Sequence, residues 1–194
     1  MKVLIACEQS GVVRRAFRER GHEAFSVDTQ ASEDDSPWHI QDDIFNHLRE
    51  DWDLMIAHPP CTRLAVSGNA WRKGKEEEQA EAIEFFLTLA TAPIEKICIE
   101  NPVGIMSTVY RKPNQYIQPW QFGHDASKKT GLWLKGLPEL VPTEYVEPRI
   151  VDGKPRWGNQ TDSGQNKLGP SPDRATIRSR TYEGIAKAMA EQWG

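Results

Sequence analysis

The sequence predicts an α/β fold, a mostly parallel sheet flanked by helices, and three observations lead there. Short β-rich runs alternate with helical patterns through the first half of the chain. The longest apolar stretches are strand-sized. Polar groups able to do chemistry recur just beyond the ends of the strand-like runs, where an open α/β sheet binds its ligands.

Taken in order, residues 3–6 read as a buried strand. A helix follows over 11–19, with Val12, Val13, Ala16 and Phe17 on its apolar side, and Gly21 ends it. Residues 22–28 make a second strand that finishes in Asp28. Residues 29–39 read as an exposed loop, 45–50 as a short helix and 53–57 as the next strand. A polar, proline-containing loop takes residues 58–69. The clearest helix spans 75–90, with Ala82, Phe85, Phe86 and Leu89 at helical spacing. Its Glu76, Glu77 and Glu78 stand near the start, where the helix dipole favours negative charge. Pro93 stops it, and the strand at 96–99 runs into Glu100-Asn101-Pro102. Residues 131–135 suggest a late strand, 138–172 are rich in Pro and Gly, and 182–193 form a helix that packs Ile185, Met189 and Trp193.

A chain of 194 residues fits one domain, 1–194. No apolar run is long enough to cross a bilayer. The first run, followed at once by Glu8, is too short for a secretion signal. Cys7, Cys61 and Cys98 cannot all pair, and their spacing is not that of a zinc site, so a reducing cytoplasm and no metal are expected. The net charge of −4 hides an asymmetry. Between residues 149 and 180 stand Arg149, Lys154, Arg156, Lys167, Arg174, Arg178 and Arg180 against Asp152, Asp162 and Asp173, which makes that segment basic and the remainder strongly acidic. It reads either as a solvated loop or as a phosphate-contacting surface.

Four polar groups fall at the predicted strand ends: the loop from Glu8 to Gly11, then Asp28, Cys61 and Glu100. Asp28 stands where a carboxylate commonly holds ribose hydroxyls. The first loop has only Gly11, a poor phosphate cradle, so a nucleoside-like cofactor without phosphates is favoured over a dinucleotide. After the strand at 53–57, Pro59 and Pro60 fix the backbone, so that Cys61 projects at a set angle from a polar turn. That setting reads as a nucleophile, whereas Cys7 and Cys98, inside apolar runs, read as small buried hydrophobes. Glu100, one helix and one strand later, reads as a buried carboxyl whose raised pKa suits it to act as an acid towards a ring nitrogen. Trp71, Trp120 and Trp157 are candidates to stack on an extruded base, while Trp52, Trp133 and Trp193 read as core. His58 adjoins the nucleophile turn and either supports the thiolate, contacts substrate or braces the loop.

These motifs resemble those of DNA (cytosine-5) methyltransferases. The run from Pro59-Pro60-Cys61 to Ser67-Gly68 looks like their Pro-Cys loop, and Glu100-Asn101-Pro102 is similar to their Glu-Asn-Val motif. Residues 5–11 resemble their opening glycine turn, and Asp42-Asp43-Ile44 their Asp-Ile cofactor contact. Short phage- and prophage-encoded proteins described as cytosine methyltransferases look closer still. That likeness runs through His58-Pro-Pro-Cys-Thr62, Ile99-Glu-Asn-Pro-Val-Gly104, Gln118-Pro-Trp-Gln-Phe-Gly-His124, Leu132-Trp-Leu-Lys-Gly-Leu-Pro138 and Arg178-Ser-Arg-Thr-Tyr182.

The resemblance implies a Rossmann-like S-adenosylmethionine-dependent methyltransferase fold with no separate large target-recognition domain. It implies methyl transfer to carbon 5 of cytosine in DNA, in the cytoplasm of a bacterial or phage-infected cell. Cys61, Glu100 and Asn101 would be catalytic, with Cys61 adding to carbon 6, Glu100 meeting N3 and Asn101 bracing the Cys61 loop. S-adenosyl-L-methionine would meet Ala6, Glu8, Ser10, Gly11, Asp28, Asp43 and Pro59. Asp28 would hold its ribose and Asp43 its adenine amino group. DNA would meet His58, Pro60, Arg63, Lys129, Arg156 and Arg174. The sequence departs from the larger family at Cys7, Glu8 and Gln9, where that family has glycine, and at Gly131, where it has arginine. For target recognition only the basic Pro/Gly-rich segment 139–175 is available, enough for very few base pairs. Two alternatives stand beside this reading: the same chemistry on a nucleotide, single-stranded nucleic acid or RNA, and a non-catalytic binding or regulatory protein of the same fold.

Overall fold

Leu54–Ala57 (β4) is buried at every residue, and Lys2–Ala6 (β1) at every residue but Lys2, in a computed structural model that describes residues 1–65, 74–171 and 174–194. Apolar runs without polar alternation belong to strands covered on both faces, and β1 and β4 lie side by side at the middle of the sheet. The other strands are Glu23–Asp28 (β2), His39–Gln41 (β3), Lys96–Pro102 (β5), Gln115–Ile117 (β6) and Thr130–Lys135 (β7). Among the described residues they form a seven-stranded sheet of order β3-β2-β1-β4-β5-β7-β6. Strands β1 to β5 are parallel; β7 runs antiparallel to both β5 and β6. The chain steps outward from β1 through β2 to β3, then crosses back so that β4 lies on the other side of β1. That reversal leaves a crevice beyond the carboxyl ends of β1 and β4, the place where doubly wound sheets bind ligands. The architecture is the Rossmann-like, mostly parallel sheet flanked by helices that the sequence predicts.

Alternate residues of each strand serve opposite faces. Val3, Ile5, Leu54 and Ile56 pack against Val13 and Phe17 of Val12–Glu19 (α1) and against Ile185, Met189 and Trp193 of Glu183–Trp193 (α5). Leu4, Met55, Ile97 and Ile99 pack against Phe86 and Leu89 of Glu76–Ala90 (α2), together with Trp52 and Trp133. No helix among the described residues is long and apolar enough to cross a membrane.

Several short elements differ from the sequence reading. The loop expected over 29–39 ends in β3, which pairs with β2. The helix expected over 45–50 is one 3-10 turn, Ile44–Asn46, capped by the Asp43 carboxylate. Side chains compete with the backbone there, since His47 binds both Asp42 and Glu50. Met106–Val109 (α3), Arg174–Ser179 (α4) and the hairpin of Arg149–Val151 (β8) and Lys154–Arg156 (β9) are too short to print a periodicity. The Pro/Gly-rich segment is strapped down. Gln115 holds both backbone groups of Leu140, and Gln192 holds both of Val141. Asn159 exchanges two hydrogen bonds with the backbone of Ser127. Trp120 and Trp157 stack on each other at 5.4 Å, so these rings fasten the strap instead of waiting for a base. Trp71 lies outside the described residues.

One buried charge fixes the loop after β2. The Arg14 side chain is 1% exposed, and its guanidinium donates to Ser26 Oγ at 2.7 Å and to Asp34 Oδ1 at 2.6 Å. Arg15 and Ser32 donate to the same carboxylate. Burial pushes the Asp34 carboxyl up, but the bonds from Ser32, Arg14 and Arg15 outweigh it and hold the group well below the usual carboxylate range. A depressed folded-state pKa stabilises the protein above the ordinary Asp pKa, and that contribution fades as pH falls. Asp34→Ala leaves a buried, unpaired guanidinium and should cost roughly 3 kcal/mol in urea unfolding at neutral pH. The deficit relative to wild type should shrink below about pH 4. A deficit that stays constant down to acid pH would mean that the ion pair is not its source.

Candidate active site

Beyond the ends of β1, β2, β4 and β5 the structure encloses a cavity of about 410 Å³. One side is lined by Cys7, Asp28, Asp43, Ile44 and Phe85; the other by His58, Cys61, Glu100, Lys128 and Thr181.

The second side is built on two neighbouring strand ends. His58 follows β4 directly, and its N–H donates to the Ala6 carbonyl at 2.9 Å, carrying the sheet pattern one residue further. Two prolines then turn the chain, and the Pro59 carbonyl accepts from Asn101 Nδ2 at 3.0 Å. Asn101 is 1% exposed, so this brace is a buried bond between the ends of β4 and β5. Cys61 follows, half-buried. Burial pushes its thiol up; Lys128 and its own backbone N–H pull it down, Glu100 pushes it up and Arg178 pulls it down, for a net rise.

Glu100 is the charged centre. Its Oε2 meets His58 Nδ1 at 3.0 Å and accepts from Thr181 Oγ1 at 3.3 Å, and its Oε1 lies 3.9 Å from Lys128 Nζ. The sequence predicts a carboxyl whose pKa burial raises. Burial does push it up, but Lys128 and His58, then the Thr181 hydroxyl, overcome this and bring it down to about 2. Glu100 is therefore a carboxylate, not a resident acid. Its partner moves the opposite way: burial alone would lower the His58 pKa, but the bond and charge of Glu100, with Glu8 beyond, raise it.

On the other side, Asp28 accepts from the Gln30 N–H through one oxygen, and Asp43 from the Phe45 N–H. Each keeps a second oxygen that takes no hydrogen bond among the described residues. Glu8 has a different task. Its two oxygens accept from the N–H groups of Val13 at 2.7 Å and Arg14 at 3.2 Å, capping α1 from within the chain. The helix N-terminus that could bind a phosphate is thus filled by a carboxylate, which fits a phosphate-free ligand. Cys7 does not lie inside the strand as the sequence suggests. It stands one residue past β1 at φ 60, the left-handed conformation that glycine adopts freely, and it lines the cavity. Burial, with Asp28 and Asp43 beside it, pushes its thiol up to about 12, so it is chemically quiet.

Cys61, Glu100, Asn101, His58, Pro59, Pro60, Asp28, Asp43, Glu8 and Ser10 all line this cavity. Other residues expected there do not. Ala6 is buried in the sheet and offers its carbonyl to His58. Gly11 starts α1 at φ 68, where an added Cβ would meet the Arg14 guanidinium. Arg63 is drawn into an ion pair with Glu78. The Lys129 ammonium lies over the Tyr116 ring at 4.4 Å, and its neighbour Lys128 faces Glu100. Arg156 is spent on the carbonyls of Pro155 in its own hairpin and of Asp162 in the turn that follows. Arg174 is at the start of α4, while Arg178 at its other end reaches the cavity. Ser67 and Gly68 of the Pro-Cys-like loop lie outside the described residues.

Lys128, Arg178, Phe85 and Thr181 are site residues that the sequence reading assigned no role. Lys128 and Phe85 carry no local signature of such a role, whereas Arg178 and Thr181 fall within the Arg-Ser-Arg-Thr-Tyr motif. Arg180 closes over the rim, pairing with Glu33 at 2.6 Å, whereas no acid among the described residues pairs with Arg178.

No protein-family model matches the chain. No curated protein matches it either. Among solved structures it is similar to a protein described as a DNA modification methyltransferase encoded within a prophage of E. coli, at 16% identity and a TM-score of 0.46, over 78% of this chain and 57% of that one. It is also similar to the Dnmt2 methyltransferase of S. pombe, at 14% identity and a TM-score of 0.45, over 72% of this chain and 50% of that one. A mutant DNMT2 of Spodoptera frugiperda aligns at 13% identity and a TM-score of 0.43, over 79% of this chain and 56% of that one. The chain thus spans little more than half the length of the structures it matches. The chemistry of the site is read from its own side chains.

The charges around Cys61 make opposite-signed tests. Lys128→Ala removes a cation that favours the thiolate and should slow iodoacetamide labelling of Cys61 several-fold at neutral pH. Glu100→Gln removes an opposing charge and should speed it. Peptide mass spectrometry of each cysteine reads both, with Cys98 as the buried control; equal rates in all three proteins would place Cys61 outside the field of this pair.

Proposed function

We propose that the protein is an S-adenosylmethionine-dependent methyltransferase acting on carbon 5 of cytosine in DNA, with Cys61 as its nucleophile. One observation carries this reading: Cys61, on a turn held by two prolines and by Asn101, opens onto the same cavity as the Glu100 carboxylate and the strand-end acids Asp28 and Asp43. The first pair suits attack on a pyrimidine; the second suits a nucleoside.

The cofactor side fits its ligand. Asp28 would hold the ribose hydroxyls and Asp43 the adenine amino group through their spare oxygens, while Val27, Ile44 and Phe85 supply apolar walls. When bound, S-adenosylmethionine supplies an electrophilic methyl group. On the substrate side, the Cys61 thiolate adds to carbon 6, and Glu100 meets the N3 edge of the ring, so that electron density shifts to carbon 5. Lys128 stabilises the thiolate and offsets the charge of Glu100. Asn101 keeps the turn from rotating as sulfur bonds to carbon. After carbon 5 gains its substituent, loss of its proton restores the double bond and expels the thiolate.

We read residues 139–175 as a reduced substrate-recognition segment, anchored at Ser127 next to Lys128. Arg149 and Arg156 are spent within that segment and Lys128 faces Glu100, which leaves Arg178 to meet phosphate at the cavity. So few phosphate contacts favour, as a second reading, the same chemistry on single-stranded nucleic acid, RNA or a nucleotide, which also avoids the few kcal/mol needed to extrude a base.

Radiolabelled S-adenosylmethionine tests both readings. Label in duplex DNA alone supports the first, and label in single strands, RNA or dCMP supports the second. No label anywhere, with no cofactor binding by calorimetry, overturns both in favour of a binding protein. A cytosine bearing fluorine at carbon 5 has no proton to lose, so it should trap wild type as a covalent adduct visible by denaturing mass spectrometry. Cys61→Ala should bind cofactor and form no adduct, while Cys7→Ala and Cys98→Ala keep trapping; an adduct surviving in Cys61→Ala would sink the mechanism. Asp28→Ala should weaken cofactor binding by roughly 1–3 kcal/mol, the scale of a charge-assisted hydrogen bond. Unchanged affinity in a folded variant would remove Asp28 from the cofactor site.

A further inference from the structure

The proposed reaction needs a proton at N3 when sulfur adds to carbon 6, yet Glu100 rests as a carboxylate among Lys128, His58 and Thr181. The proton must come from a neighbour. His58 stands at 3.0 Å from Glu100 Oε2 through Nδ1, with only 12% of its side chain exposed. Its Nε2 is buried and takes no hydrogen bond among the described residues. Its backbone is tied to Ala6, and only Pro59 and Pro60 separate it from Cys61 on one braced turn. A single rigid element thus presents the nucleophile and a dissociable proton to the same cavity.

We propose that His58 is the proton partner of Glu100: a positioning residue that holds the carboxylate towards the base and supplies, through it, the proton that N3 takes up. The proposal rests on the methyltransferase reading above. As the Cys61 sulfur bonds to carbon 6, the imidazolium proton passes to the Glu100 carboxylate and from the carboxyl to N3. His58 is left neutral, Glu100 is again a carboxylate and N3 is protonated. When the carbon-5 proton leaves to water, its electron pair re-forms the ring double bond and the thiolate departs. N3 then returns its proton through Glu100 to His58. The net proton released is the one from carbon 5.

Neighbouring groups set the balance. Glu100 on β5 and Glu8 in the loop after β1 favour the imidazolium, and Lys128 before β7 opposes it. Thr181 donates to Glu100, and Arg178 of α4 acts on Cys61 in the same turn.

The test is the rate of adduct formation with a 5-fluorocytosine substrate, measured against pH in wild type and in His58→Gln, each first shown to fold and to bind S-adenosylmethionine. Both proteins need the same Cys61 thiolate, so that dependence cancels in the ratio of their rates. The ratio should start near unity at low pH and rise through neutrality. It should reach at least tenfold and then level off above the His58 pKa. A ratio independent of pH means that His58 only packs against Glu100, which overturns the proposal. As a check that needs no variant, the histidine nitrogen chemical shifts of isotope-labelled wild type should show His58 charged in the free protein and neutral at addition in rapidly quenched samples. A His58 neutral throughout overturns the relay. Wild type that forms no adduct at all overturns the methyltransferase reading and this role with it, whereas trapping with a flat ratio overturns only the role.

Discussion

The buried hydrogen bond from Asn101 to the Pro59 carbonyl is the constraint on which the site depends. β4 and β5 are parallel neighbours, and their ladder ends at Ala57 and Ile99. Beyond that point nothing in sheet geometry keeps the two chains together. The β4 side then carries prolines, which have no N–H to extend the ladder. A side-chain amide from β5 makes the missing connection. Without it, the Cys61 turn would lose its buried tie to the end of β5, and the spacing of Cys61 from the Glu100 carboxylate would rest on the His58–Glu100 contact and the Ala65–Gly104 bridge further on. Asn101 can do this because β5 continues past Ile99 to Pro102 through its antiparallel pairing with β7.

The electrostatics of the cavity follow from that fixed spacing. Glu100 is too deeply buried to remain charged alone. It remains so because cations reach it from two directions, His58 on the same turn as Cys61 and Lys128 from the approach to β7, with the Thr181 hydroxyl as a third donor from the approach to α5. Each belongs to a different part of the chain, so the charge state of one carboxylate records that four segments have come together correctly. Of the cations that line the cavity, Arg180 pairs with Glu33 at the rim and Lys128 faces Glu100, while no acid among the described residues pairs with Arg178.

Much of this was legible in the sequence, for reasons that differ by element. The central strands announce themselves because burial on both faces demands uninterrupted apolar runs, and the two prolines before Cys61 announce a fixed turn. Asn101 as a brace came with the resemblance of Glu100-Asn101-Pro102 to the Glu-Asn-Val motif. The short strands and the hairpin were not legible, because three residues cannot display a period. The choice between Lys128 and Lys129 was not legible either. Adjacent residues point in opposite directions, and here the direction is set by Gln118, whose side-chain oxygen takes the Lys128 N–H. Least legible was the charge of Glu100. Burial is written locally in β5, but the groups that reverse its effect, Lys128, His58 and the Thr181 hydroxyl, come from other segments of the chain.

The first loop shows how the fold does without the glycines that its resemblance would demand. A glycine turn serves two purposes: it lets the backbone take a left-handed step after β1, and it leaves a helix N-terminus open to a phosphate. Cys7 takes the left-handed step itself, at φ 60, with its N–H held by the Val27 carbonyl at 2.8 Å. A non-glycine residue adopts that conformation only where its surroundings compel it. Glu8 then fills the helix N-terminus, satisfying the N–H groups that a phosphate would have met. The strain and the cap are complementary, since the step at Cys7 starts the turn that lets Glu8 reach back to α1. The loop is therefore built to close the phosphate position while keeping the crevice beside Asp28 open. A phosphate position closed in this way beside an open crevice is the physical case for the nucleoside cofactor proposed above.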